Sequence, residues 1–348
     1  MVIPSDPKLN GFDIIQTNYK HIGGHGIRAD ILIPQTEYAG SRPLIIRIHG
    51  GGLVSQSTTA QPPPNAAARL INFQMMGDSL YMDWWPHWIS DLALQKNAII
   101  ISPNYRLLPE AISADIYADL DDFWTWLRSP ELANLLANHT TSTKVDRDRI
   151  FVTGESAGGL LSLYLAFAYP EEIRSASAAY PTLALNADSF TKTRENPPFR
   201  NNVPVSVVEE GFKAAMLGTS KSSITSLESL MYMLGAVQHG YLSKYYERGA
   251  EGVSAEVLYP MTRFENPDVK IPRGGIAMLH GRQDSVVPLG DVEKFAERAE
   301  EVLKAQAGEH GNVTLTVREG EHGFDSGVRL EEDWLQEVMR EAIGVWLE

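Results

Sequence analysis

Between Ile150 and Leu161 the chain reads IFVTGESAGGLL. An apolar run with strand character stops in a Gly-Glu-Ser-Ala-Gly-Gly cluster, and an apolar, helix-like run follows at once. A serine set between glycines at such a junction sits on a sharp strand-to-helix turn, its hydroxyl presented at the C-terminal edge of a sheet. Gly154 and Gly158 let backbone pack closely around the bend. The helix that begins there offers free N–H groups and a positive partial charge to an oxyanion forming beside Ser156. Gly154-Glu155-Ser156-Ala157-Gly158 thus has the G-x-S-x-G pattern of a nucleophile elbow, and the competing reading is a glycine-rich turn without chemistry. Glu155 belongs to the elbow, where a buried hydrogen-bonding role suits it better than that of a general base.

The rest of the chain supplies a sheet for that turn. Asp13–Lys20 and Ile27–Pro34 flank HIGGHG and read as a hairpin, with His21 and His25 in its turn rather than on a metal. Pro43–Gly50, Asn97–Pro103 and Arg149–Gly154 are nearly unbroken apolar runs, as expected of strands buried on both faces of a parallel sheet. Ser175–Tyr180, Arg273–Gly281 and Asn312–Glu319 continue the series. Between them, helical spacing predicts helices through Ile116–Leu127 and Val292–Leu303, the second stopped by Gly308, and another through Leu335–Trp346. The expected fold class is therefore α/β, a mostly parallel sheet of about eight strands with flanking helices.

Two stretches break the alternation. One, from about Ser55 to Trp88, holds QPPP and the aromatic cluster YMDWWPHW. Tyr81, Trp84, Trp85 and Trp88 suit either an acyl pocket or the packing face of a helix. The other, 181–272, is too long for a simple crossover and reads as an inserted cap with helices near Val207–Met216 and Ile224–Ala236. Met231, Tyr232 and Met233 there carry the same two readings. The domain division is 1–180 with 273–348 as core and 181–272 as cap.

A serine hydroxyl is a weak nucleophile without a base. In this architecture the acid and the histidine follow the serine in that order. His280 and His322 are the two histidines well downstream of Ser156 at or just past strand ends: His280 ends the strand IAMLH, and His322 sits just after the last strand in a loop able to reach the serine. Asp284, in HGRQDSVVP, is placed to accept the N–H of His322 and select its tautomer. Upstream, IRIHGGGL puts Gly50, Gly51 and Gly52 after a buried strand. A dinucleotide fingerprint fails there because Ser55 occupies the third glycine position, and no phosphate-loop pattern occurs. The fitting role is an oxyanion hole formed by the amides of Gly51, Gly52 and Ala157.

HGGG (His49–Gly52), NYRLLPE (Asn104–Glu110), GESAGG (Gly154–Gly159), HGRQDSVVP (His280–Pro288) and HGF (His322–Phe324) together resemble the hormone-sensitive-lipase-like branch of the α/β-hydrolase superfamily. The resemblance covers about Pro43–Tyr180 and Gly274–Phe324. It implies an α/β-hydrolase fold with an inserted helical cap, Ser156, Asp284 and His322 as a triad, Gly51, Gly52 and Ala157 as oxyanion donors, and His49 as a support of the glycine loop. The chain departs from the family pattern at Asn104, Leu108 and Leu160.

Composition narrows the partners. With 44 acidic and 30 basic residues the formal charge is −14, and no Lys/Arg cluster offers a nucleic-acid footprint. Cysteine is absent, which removes disulfides, thiol nucleophiles and thiolate metal sites. No apolar run approaches the ~18 residues of a membrane span, and no signal peptide is read at the start, so a cytoplasmic protein is expected. The reading is a serine hydrolase cleaving carboxylic esters through an acyl-enzyme, needing no cofactor or metal and acting on a small-molecule ester or acyl substrate, with a homodimer left open. Acyl transfer to an acceptor other than water uses the same residues. A serine peptidase is disfavoured by HGGG and the lack of a propeller-sized domain, and a non-catalytic receptor by the complete set of triad residues.

Overall fold

Leu44, Ile46 and Ile48 of the inner strand β3 (Ser41–Ile48) pack into one hydrophobic cluster and Ile45 into another; all four are buried. The same alternation divides Ile99 and Ile101 from Ile100 in β4 (Ile99–Pro103), and Ile150 and Val152 from Phe151 in β5 (Lys144–Glu155). A strand with apolar residues on both faces requires helices on both, and this produces a three-layer molecule. The computed structural model describes residues 5–54, 77–140, 142–223, 227–306 and 311–348.

Among the described residues, eight strands form one sheet in the order β1-β2-β4-β3-β5-β6-β7-β8. β1 (Phe12–Ile22) and β2 (His25–Pro34) make the expected antiparallel hairpin, its turn carried by Gly23 and Gly24 at positive φ, and β2 pairs antiparallel with β4. From β4 onward all pairings are parallel, through β6 (Ile173–Ala179), β7 (Ile276–Gly281) and β8 (Val313–Arg318). The α/β class, the strand number and the mostly parallel sheet expected from sequence are borne out.

Helix α1 (His87–Lys96) contributes to one face of the sheet, and α2 (Ser113–Trp126), α3 (Pro130–Ala137) and α4 (Ala157–Ala168) to the other. Between β6 and β7 the chain forms the short helix α5 (Asp188–Thr191), α6 (Val205–Ala215), α7 (Leu227–Gln238), α8 (Tyr241–Glu247) and the short helix α9 (Ala255–Leu258). The core closes with α10 (Leu289–Ala305) and α11 (Asp333–Leu347).

Sequence patterning missed several features, among them helices α1, α3 and α8 and the start of β5. β5 begins at Lys144 rather than Arg149, because the polar KVDRD stretch is held by pairing with Ser41 and Arg42 rather than by apolar burial. Helix α3 is short and went unread, although Ser129 caps it, accepting from the Leu132 N–H, and Pro130 starts it. The expected stop at Gly308, and Ser55 to Met76 of the proline-containing stretch, lie outside the described residues.

Leu335, Met339, Ala342 and Trp346 form the buried stripe of α11, and the Trp346 indole N–H donates to the Arg149 carbonyl at 2.8 Å. Trp346→Ala should therefore lower the unfolding free energy by about 3–5 kcal/mol. Urea unfolding of the two proteins measures this, and a loss under about 1 kcal/mol would contradict a packed role for this helix.

Candidate active site

Ser156 has φ 56° and ψ −118°, a conformation an L-residue adopts only when its surroundings impose it. They do so from both sides. The Ser156 N–H donates to the Ala179 carbonyl of β6 at 2.9 Å, and the Ser156 carbonyl accepts from Gly159, Leu160 and Thr182. A methyl on Gly154 would overlap the Gly158 carbonyl, and one on Gly158 would overlap the Ile48 carbonyl. The glycines on either side of the serine are thus where β3, β5 and α4 meet backbone to backbone.

The loops after β7 and β8 bring two more side chains to this point. His322 Nε2 lies 3.0 Å from Ser156 Oγ, and His322 Nδ1 lies 2.7 Å from Asp284 Oδ2. A carboxylate can only accept, so Nδ1 carries the proton and Nε2 is left to accept from the serine hydroxyl. The other oxygen, Asp284 Oδ1, takes the Val286 and Val287 N–H groups at 2.8 Å each. The His322 N–H and the Ser285 N–H both donate to Glu321 Oε2, which joins the two loops. His280 is fully buried and points Nε2 to the Val287 carbonyl at 3.0 Å, so it supports the Asp284 loop and does not meet the serine.

The glycine loop follows β3. Gly51 and Gly52 have φ of 105° and 65°, and a methyl on Gly50 would stand 2.8 Å from the Glu155 carbonyl oxygen. Among the described residues the N–H groups of Gly51, Gly52 and Ala157 have no hydrogen-bond acceptor. His49 holds this loop: its Nδ1–H donates to the Gly50 carbonyl at 2.8 Å and its ring stacks on Tyr105 at 4.5 Å. The Tyr105 hydroxyl in turn donates to the His49 carbonyl. A narrow recess of about 10 Å³ beside the loop is lined by His49, Gly50, Gly51, Asp78, Tyr81 and Trp84. A larger cavity, about 960 Å³, lies at the opposite strand ends near Arg174 and Lys270 and holds none of these residues.

The aromatic cluster divides by function of position. All three tryptophans are buried core residues: Trp85 and Trp88 donate to Ser90 and Asp325, and Trp84, in the other core cluster, also stands edge-on to the His322 ring at 5.3 Å. Tyr180 at 4.5 Å and Phe199 at 6.4 Å complete an aromatic surround of that imidazole. Met233 of α7 is a core residue that also lies over the glycine loop, its Cγ 2.6 Å from where a Gly52 methyl would be.

Beneath the elbow, Glu155 makes two bonds to Arg47, at 3.1 and 2.8 Å, and the Arg47 guanidinium lies 4.2 Å from the Trp85 ring centroid. Burial pushes the Glu155 carboxyl up, to about 7, against the pull of Arg47 and with a push from Asp325. Sequence reading did not find Arg47; an arginine within the apolar run IIRIHG was the available signal. Asn104, where the family commonly has Asp, accepts the Ser79 N–H at 2.7 Å beside the Asp78–Arg28 pair, so a neutral amide sits among carboxylates.

This fold with this arrangement at its strand ends defines an α/β-hydrolase. A family model described as an alpha/beta hydrolase fold matches residues 78–223. The chain is similar to a probable carboxylesterase, M8, of Phoma sp. (28% identical over 347 residues, 97% of each chain). It is also similar to a probable carboxylesterase, clz11, of Cochliobolus lunatus (30% identical, 55% of this chain and 87% of that one). A third similarity is to the non-reducing polyketide synthase Preu6 of Preussia isomera, 25% identical over 83% of this chain but only 13% of the synthase. Among solved structures, an arylesterase superimposes with a TM-score of 0.57 at 16% identity, over 99% of this chain and 88% of that one, a likeness of fold. The chain belongs to the hormone-sensitive-lipase-like carboxylesterase branch of the α/β-hydrolase superfamily, a family of ester-hydrolysing enzymes. No helix among the described residues is long and apolar enough to cross a membrane.

Burial pushes His49 down from 6.5 to about 4, with Asp78 opposing. The fold therefore favours the neutral ring, a contribution complete above pH 6.5 and lost as pH falls toward 4. Between those limits the wild type should lose roughly 3 kcal/mol more than His49→Gln. Urea unfolding of both proteins at several pH values checks this; parallel curves would remove His49 as the cause.

Proposed function

We propose that this protein hydrolyses carboxylic esters by covalent catalysis at Ser156, with Asp284 and His322 as its partners. The observation that carries the reading is the continuous relay Ser156 Oγ–His322 Nε2–His322 Nδ1–Asp284 Oδ2 at 3.0 and 2.7 Å. His322 takes the hydroxyl proton as Ser156 attacks the ester carbonyl. The carbonyl oxygen becomes an oxyanion, accepted by the amides of Gly51, Gly52 and Ala157. The same proton passes from His322 to the departing alkoxide, leaving an acyl-serine and free alcohol. Water, deprotonated by His322, then attacks the acyl carbon, and the acid leaves as Ser156 regains its proton. Asp284 remains ionised throughout and stabilises the imidazolium.

The 181–272 stretch serves as the cap in this reading. Met233 over Gly52 and the Phe199 ring beside His322 are the contacts that support it. By covering the reacting groups it excludes water and strengthens the electrostatics of the oxyanion site.

A second reading keeps every residue in place and replaces water by another acyl acceptor, or the ester by a thioester. The similarity to part of a polyketide synthase favours it. Activated esters from acetate to decanoate, assayed alone and with alcohol, amine or thiol acceptors, separate the two. Product formation unchanged by acceptors supports hydrolysis, and faster formation with an acyl-transfer product supports transfer.

Ser156→Ala and His322→Ala should each reduce kcat by several orders of magnitude, and Asp284→Asn should be severe because it permits the wrong tautomer. A fluorophosphonate should label Ser156, read by peptide mass spectrometry. Label on another serine, or near-normal turnover by Asp284→Asn, would end this assignment.

A further inference from the structure

The loop that carries Asp284 is held from outside by one cation. Inside the loop, the N–H groups of Val286 and Val287 turn in to Asp284 Oδ1. The carbonyls of Ser285 and Val286 turn out, and both accept from Arg194 Nη1, at 3.0 and 2.9 Å. Arg194 stands between β6 and β7, far from the loop in sequence. Its Nε–H donates to the Ser189 carbonyl, its backbone N–H to the Gln238 carbonyl at the end of α7, and its guanidinium lies 4.9 Å from the Phe190 ring centroid. Five residues on, the Phe199 N–H donates to Ser285 Oγ at 2.8 Å, and Phe199 has a positive φ of 52°. A residue in that conformation is maintained by its surroundings, here on the same loop.

We propose that Arg194 is a positioning residue: it clamps the Asp284 loop to the 181–272 stretch, so that the docking of this stretch sets the geometry and charge of the Asp284–His322 pair. The inference rests on the triad assignment above and extends it to a residue that touches no reacting atom. Two effects combine. Nη1 bridges both loop carbonyls while Nε–H holds the Ser189 carbonyl, a two-nitrogen span that a single ammonium does not make. Its charge also acts on Asp284, opposing the stabilisation that the carboxylate gives to an imidazolium. Burial brings Arg194 down to about 10, so it remains charged at neutral pH. The other charged and titratable groups facing this assembly are Asp291 of α10 on Arg194, and His280, Glu321 and the Tyr180–Asp325 pair around Asp284 and His322.

The test compares wild type, Arg194→Lys and Arg194→Met with 4-nitrophenyl acetate and butyrate, reading kcat, KM and the pH dependence of kcat/KM. For Arg194→Met we expect kcat about tenfold to a hundredfold lower with KM changed less than about twofold. Loss of the cation should also move the acid limb about half a pH unit upward. Arg194→Lys should keep the wild-type limb and show an intermediate kcat. An Arg194→Met enzyme with wild-type kcat, or one with lower kcat and an unmoved limb, overturns the proposal. If Arg194→Met does not fold, Arg194→Lys decides: kcat at least about threefold lower supports the clamp, and wild-type kcat overturns it. Fluorophosphonate labelling of the wild type runs in parallel. Label absent from Ser156 defeats the triad assignment itself, whereas label on Ser156 with unaffected Arg194 variants defeats only the clamp.

Discussion

Backbone meets backbone where β3, β5 and α4 converge, and the site depends on that contact. With a side chain at 154 or 158 the elbow could not close, because either methyl would overlap a main-chain carbonyl. Ser156 would then lose the position that puts its hydroxyl 3.0 Å from His322 Nε2. The close approach also explains the strained Ser156 backbone. Its N–H and carbonyl are both used by neighbouring segments, so relaxing φ would break hydrogen bonds on two sides.

The buried charges beneath the elbow raise a cost that the network around them offsets. Arg47 and Glu155 are both about 1% exposed, and an ion pair at that depth tolerates no missing partner. Arg47 therefore also donates to the Ser79 carbonyl and lies against Trp85, while Asp325 is bonded by Tyr180 and Trp88. Tyr180 packs against His322 with its ring, so the same residue that satisfies a buried carboxyl also shapes the imidazole's surroundings. Core stability and site geometry are in this way one set of contacts.

The loops at the strand ends differ in how they are held. The glycine loop is fixed by His49 and Tyr105 from within the sheet layer and is overlain by Met233. The Asp284 loop is fixed from within by its own turn and from outside by Arg194 and Phe199. Residues between β6 and β7 thus bear on both the glycine loop and the carboxylate–imidazole pair.

Much of this was legible in the chain itself. Alternating burial demands leave apolar runs that mark the strands, and glycine at 154 and 158 marks a turn that few other residues allow. Ser156, Asp284 and His322 stand in that order just past strand ends, which is enough to choose them as a set and, through the loop position of His322, to prefer it over His280. The start of β5 escaped because it is held by strand pairing and carries no periodic signal, and helix α3 because its eight residues offer only one buried i,i+4 pair, Leu132 and Leu136. What only tertiary structure decided is the set of contacts between segments distant in sequence. It put Trp84 in one core cluster beside His322 and Trp85 and Trp88 in the other, paired Arg47 with Glu155 across 108 positions, and set Arg194 against a loop 91 residues away. Local patterns encode which face of an element is buried; they do not encode which distant polar group will satisfy a charge once it is buried there.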